Sequence, residues 1–154
     1  MKEKEQLVVE AIKNGTVIDH IPSNLTLLVV ELLTGPEDCY FLGVNLSSTS
    51  VGSKGIIKLQ DRVLEDSDLE ILSALAPQAT MNIIQDFKIV DKKKLKIPEE
   101  ILKIFICPNT RCVTNHEAIS TRFRLGDGEH TCAYCERSFS VDRLRIHPPA
   151  LRHP

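Results

Sequence analysis

Four cysteines near the C-terminus constrain this chain more than any other feature. They stand as Cys107-x4-Cys112, nineteen residues, then Cys132-x2-Cys135, in "CPNTRC" and "TCAYCERSFS". Two close pairs separated by a loop present four thiolates to one tetrahedral ion, and zinc is the expected one. Glu3, Glu5 and Glu10 interrupt "MKEKEQLVVEAI" and leave no signal-peptide core, so a reducing, cytoplasmic address is expected. There, clustered cysteines hold metal in preference to forming disulfides. Four cysteine ligands close the coordination sphere and leave no position to activate water. The metal is therefore expected to staple the fold, because roughly fifty residues with few large apolar side chains make too small a core to fold alone. His116 and His130 are expected at the surface or behind the ligands. The fifth cysteine, Cys39, is expected to be a small core residue.

Charge narrows the possible partners. Of 154 residues 26% are charged, and the net charge is -2, which gives no general reason to bind nucleic acid or an anionic membrane. A zinc-ribbon nucleic-acid module is the alternative reading. Its footprint would be a basic face with interleaved aromatics. Arg111, Arg122, Arg124, Arg137, Arg143 and Arg145 are diluted by five acids over residues 105–154, so no nucleic acid is expected. The longest apolar run, "LTLLVVELL", is broken by Glu31 and falls far short of the roughly 20 residues that a span needs.

The first hundred residues read as a separate unit. "LVVEAIK" and "TVIDHI" flank Asn14-Gly15, which predicts a β-hairpin that sets Ile12 opposite Val17. "SNLTLLVVELLTG" predicts a helix capped by Ser23, with Leu25, Leu28, Val29 and Leu32 on one stripe and Gly35-Pro36 as its stop. "CYFLGVNL" and "IIKLQD" predict strands around a loop, "SSTSVGSKG". Ser67 and Glu70 have capping-box spacing for a second helix ending at Ala76, with Leu69, Leu72 and Ala76 inward. "TMNIIQDFKIV" predicts one last long strand. The order ββαββαβ predicts an α+β unit, a ferredoxin-like antiparallel sheet with two helices on one face. "DKKKLKIPEE" reads as a solvated boundary. The expected division is 1–97 for this unit and 98–154 for a small all-β, metal-held domain.

Several polar residues lack an obvious role. Asp19 and His20 interrupt "GTVIDHIP", but neighbours on a strand face opposite ways and cannot readily form an acid-base pair. No nucleophile elbow or carboxylate pair appears. "VGSKGIIK" lacks phosphate-loop spacing; Lys54 and Lys58 make at best a weak anion site.

"VEAIKNGTVIDHIP", "LSALAPQATMNII" and "CPNTRC…CAYC" together closely resemble the regulatory chain family of aspartate carbamoyltransferase, from about Leu7 to Phe139. The resemblance implies a chain without catalytic activity that binds CTP as inhibitor and ATP as activator in pyrimidine synthesis. It implies regulatory homodimers that join catalytic trimers through the zinc domain. It places the base edge against the backbone of Val9, Glu10, Ala11 and Ile12, ribose hydroxyls on Asp19 and a phosphate on His20. Lys58 would contact base or ribose with Lys54 nearby, Asn82 and Ile84 would line the last strand, and Lys92 would reach the triphosphate. Cys107, Cys112, Cys132 and Cys135 become the zinc ligands. Asn109 and Glu136 are the candidates for touching the catalytic chain.

Overall fold

The computed structural model describes residues 11–48 and 52–147. Strand β1 (Gly15–Ile21) is followed by a 3₁₀ turn at Ser23–Leu25 and helix α1 (Thr26–Leu33). Strands β2 (Tyr40–Ser48) and β3 (Gly52–Gln60), helix α2 (Asp66–Leu75), and strands β4 (Thr80–Gln85) and β5 (Lys88–Lys94) complete the first unit. The sheet order is β2-β3-β1-β4-β5, with every pairing antiparallel. The first four strands have the ferredoxin-like arrangement, and β5 extends it.

Alternation along the strands sorts the two faces. Thr16, Ile18, Ile57, Leu59 and Met81 are buried on the face that α1 and α2 cover through Val29, Leu33, Leu72 and Leu75. Val17, Asp19, Lys58 and Asn82 point the other way and are only half-buried. One face is thus spent on the core and the other is left for something else.

Several local expectations are corrected. The hairpin at Asn14-Gly15 does not form: Ala11–Asn14 is not strand, and both edges of β1 are taken by β3 and β4. The rest of the expected first strand, residues 7–10, lies outside the described residues. Secondly, "TMNIIQDFKIV" is two strands joined at Asp86 and Phe87, whose φ angles of 48° and 64° form the tight left-handed turn that matches strand twist. The lysines of "DKKK" therefore belong to β5 and not to a linker. Thirdly, the cap of α2 lies two residues upstream of Ser67. The Glu65 N–H donates to Asp68 Oδ2 at 3.0 Å, since Asp68 stands at the third helical position, where a carboxylate satisfies an orphan donor and meets the helix dipole. In α1, Ser23 makes no cap hydrogen bond, and the buried stripe is Leu25, Thr26, Val29, Val30 and Leu33.

Arg62 ties the two helices together. It donates to the Leu33 carbonyl at the end of α1, to Asp38 at 2.9 Å and to both oxygens of Asp68 at 3.3 Å. The cation suits the dipole at the C-terminus of α1, and the Asp68 carboxylate suits that at the N-terminus of α2.

Gly55 sets how closely α1 lies on the sheet. A Cβ there would stand 1.9 Å from Thr26 Oγ1. That hydroxyl is held by the Pro22 carbonyl at 3.0 Å, so it cannot turn aside without losing a bond. Gly55→Ala is expected to destabilise the chain by about 1–3 kcal/mol, the usual range for overpacking. The check is a urea midpoint that falls while the slope stays constant.

The C-terminal part is made of short strands. β6 (Glu100–Leu102), β8 (Arg122–Leu125), β9 (Glu129–Cys132) and β10 (Ser138–Ser140) form one sheet, and β7 (Phe105–Ile106) pairs with β11 (Arg145–Ile146). Phe105 and Phe123 are fully buried and meet edge to face, centroids 5.4 Å apart.

Candidate functional site

The helix-free face of the first sheet carries an ordered row of side chains. Register sets Lys58 beside Val17, Val17 beside Asn82 and Asn82 beside Lys92. Directly paired residues project from the same face. The row thus runs Lys58, Val17, Asn82, Lys92 over β3, β1, β4 and β5, a width of about 14 Å at normal strand spacing. A ligand lying across the strands could meet both lysines.

Asp19, two residues beyond Val17, points from the same face and pairs with Lys54 Nζ at 2.9 Å. The carboxylate also accepts the His20 N–H at 2.7 Å. The two side chains do not pair, as expected for strand neighbours; His20 Nδ1 lies 3.1 Å from Thr80 Oγ1 instead. His20 has a φ of 60° and falls where β1 bulges against β3 between Ile18 and Ile21. A left-handed backbone is uncommon at a non-glycine residue, and it re-aims the ring.

Ile84 is buried at the register position opposite Gly15. Ala11 is exposed and Ile12 is buried. This segment is held beside the β4–β5 turn, because the Phe87 N–H donates to the Lys13 carbonyl at 2.9 Å. Val9 and Glu10 lie outside the described residues.

One residue was missed in the sequence. Lys94 pairs with Thr80, on the same face as Lys92, and lines a cleft of about 490 Å³ with His20 and Thr80. Period-two spacing from Lys92 was the available signal; it is lost when the run is taken as a linker. Cys39 corrects another expectation. It is exposed rather than core, with its sulfur 3.6 Å from Gln60 Oε1.

The four other sulfurs converge. All lie within 4.8 Å of one another, with Cys107 to Cys135 at 3.7 Å and Cys112 to Cys132 at 3.8 Å. A tetrahedron with metal–sulfur bonds of about 2.3 Å has sulfur–sulfur edges of about 3.8 Å. The four therefore fit one ion and are too far apart for disulfides. Burial pushes the Cys107 and Cys132 thiols up, against N–H groups of Asn109 and of Cys135 and Tyr134 that donate to those sulfurs. Burial would raise Cys112 too, but the hydroxyl and N–H of Thr114 bring it down to about 7. Crowded sulfurs resist ionising together, and a cation removes that conflict.

Backbone turns shape both knuckles. The Cys112 N–H donates to the Asn109 carbonyl at 2.9 Å, and Asn109 Oδ1 accepts the Arg111 N–H at 3.1 Å. Glu136, at a φ of 62°, is exposed just past the second knuckle. Neither histidine joins the cluster. His116 is exposed with Nε2 on the Thr110 carbonyl at 2.7 Å. His130 is buried against the first unit, with Nε2 2.7 Å from the Ala74 carbonyl.

A lysine-bearing sheet face joined to a closed thiolate cluster defines a two-part chain whose four cysteines suit a structural metal. Residues 7–96 match the family model for the aspartate carbamoyltransferase regulatory chain, allosteric domain, and residues 99–145 match its metal binding domain. Among curated relatives, the aspartate carbamoyltransferase regulatory chain of Porphyromonas gingivalis is 41% identical over 94% of this chain and 99% of its own length. That of Phocaeicola vulgatus is 43% identical over 93% and 96%, and that of Thermococcus gammatolerans 41% over 90% and 96%. The chain belongs to the aspartate carbamoyltransferase regulatory chain family. It is a non-catalytic regulatory chain with an allosteric and a metal-binding domain. No described helix is long and apolar enough to cross a membrane.

Proposed function

We propose that this chain binds CTP and ATP as opposed effectors on the helix-free face of the first sheet and controls the catalytic chain of aspartate carbamoyltransferase, in the cytoplasm. The observation that carries the reading is the row Lys58, Val17, Asn82, Lys92, with Asp19 and Lys54 beside it. Cations at both ends suit a polyanion, and the carboxylate between them suits ribose hydroxyls. Lys58 takes base or ribose, with Lys54 nearby. The backbone over Val9, Glu10, Ala11 and Ile12 reads the base edge. Asn82 and Ile84 line the floor, and His20 and Lys92 take phosphates, joined by Lys94.

The metal is zinc, held by Cys107, Cys112, Cys132 and Cys135, and its role is to fix the shape of a docking domain. Residues 1–97 sense the nucleotide, and 98–154 meet catalytic trimers, with Asn109 and Glu136 at the contact. Regulatory chains pair as homodimers. The β2 edge supports this, since Tyr40–Ser48 has no charged side chain to block a second copy. Inhibitor and activator differ in effect only through different affinities for two states of the assembly.

Calorimetric titration of the zinc-loaded chain with CTP and with ATP tests the reading, with short duplex DNA as control. Saturable, mutually competing heats for both nucleotides and none for DNA are expected. DNA binding without nucleotide binding would replace the reading with a nucleic-acid module. Burial of Phe105 and Phe123 speaks against that module, because buried rings cannot stack on bases.

A further inference from the structure

His130 is sealed inside the molecule at 1% exposure, yet neither the metal cluster nor the nucleotide face uses it. Its Nε2 lies 2.7 Å from the Ala74 carbonyl, and its Nδ1 accepts the Gly126 N–H at 3.3 Å. These two partners fix one tautomer, with the proton on Nε2. The ring rests on Phe105, centroids 5.6 Å apart. Ala74 stands in the last turn of α2, where carbonyls have no partner within the helix. It is fully buried, so water cannot serve it. The donor comes from β9 of the metal-held domain, two residues before Cys132.

From Ala74 the chain runs straight to the nucleotide face. The Ala79 N–H closes a turn on the Ala76 carbonyl at 3.0 Å, and Pro77 fixes φ at the turn's second position. The turn is short and stiff, so it passes on a displacement instead of absorbing it. Thr80 comes next, carrying the hydroxyl 3.1 Å from His20 Nδ1. Pro77 and Gln78 wall two cavities at once. On one side is the cleft with His20, Thr80 and Lys94; on the other is a cavity of about 260 Å³ lined by Gly126, Gly128 and His130.

We infer that His130 is a positioning residue that fastens the metal-held domain to the end of α2, so that a nucleotide acting on His20 and Thr80 also moves β9. This rests on the nucleotide reading above. A histidine that merely fills space would affect stability and leave the nucleotide response intact.

The test uses holoenzyme assembled from the full chain and catalytic trimers, with His130→Leu, which keeps apolar bulk but has no donor, and His130→Gln, which keeps an N–H. Full metal content and CTP binding by the free His130→Leu chain are expected to match the unsubstituted protein. The CTP effect on holoenzyme activity at saturation is expected to shrink at least about fivefold, the lower end of ordinary allosteric coupling, and His130→Gln is expected to restore part of it. A full CTP response in His130→Leu overturns the inference, as does equal loss of CTP binding in the free chain. If His130→Leu does not assemble, amide exchange of the unsubstituted chain decides: CTP must alter exchange at Gly126 and Thr131, and no change there overturns the inference. Absence of CTP binding by the unsubstituted chain would instead sink the nucleotide reading alone. The fastening is then read without nucleotide, as faster exchange over residues 76–80 in the free His130→Leu chain, and unaltered exchange there overturns it.

Discussion

Stripping the metal from the full chain is expected to unfold residues 98–147 while the five-stranded sheet stays folded. The C-terminal core is small: Ile101, Ile104, Phe105, Phe123 and Leu144 supply its buried large apolar side chains. Cys107, Cys112 and Cys132 are part of that same core, so the ligands also hold the packing. Without the ion, a thiol near neutral titration at Cys112 and raised thiols at Cys107 and Cys132 face one another at close range. Metal binding to structural cysteine sites is worth about 10–16 kcal/mol at neutral pH, as much as the roughly 5–15 kcal/mol by which whole domains are stable. Chelator titration followed by amide resonances should collapse the dispersion of residues 99–145 and spare β1 to β5. Assembly with catalytic trimers should be lost at the same chelator concentration. Native resonances over 99–145 in the metal-free chain would show that the cluster is not the staple.

Lys58→Ala is expected to weaken CTP binding about 10- to 100-fold, since a hydrogen bond to a charged group is worth about 1.5–3 kcal/mol. The sheet is expected to persist, because Lys58 sits in mid-strand and its backbone pairs with β1 and β2 are independent of the side chain. Lys93→Ala is the control. Lys93 pairs with Met81, on the helix-covered side of the pleat, and should leave CTP affinity nearly unchanged. Calorimetry on both variants separates geometry from general charge. Equal losses would mean that the face attracts nucleotide only as a diffuse basic surface, and no loss in Lys58→Ala would remove this residue from the site.

Features written in local spacing were legible in the sequence, and features written in long-range pairing were not. The cysteine cluster was readable because each knuckle is a local turn. Helix α2 was readable because its apolar period and Pro77 are contiguous. The hairpin at Asn14-Gly15 failed for a reason visible at Gly15. Its φ is 139°, and a Cβ would stand 2.0 Å from the Leu59 carbonyl. The glycine is there for close approach to β3, a strand forty residues away, and not for a two-residue turn. The β4–β5 turn went unread for the opposite reason, since Asp86 and Phe87 adopt left-handed angles without the glycine that normally announces them. His130 had no signal at all; its partner is 56 residues upstream.

Strand β5 is exposed along its whole length and forms one edge of the sheet. Phe87, Ile89 and Val90 are exposed there as well. Such an edge invites other chains to add strands, and lysines are a common deterrent. Lys88, Lys92, Lys93 and Lys94 suit that role, and under the proposed reading Lys92 and Lys94 also serve recognition. A triphosphate that neutralises Lys92 and Lys94 also removes part of the repulsion that keeps molecules apart. On that reading, occupancy of the face and resistance to aggregation draw on the same few positive charges. A variant that discards them for the sake of one property is exposed to losing the other.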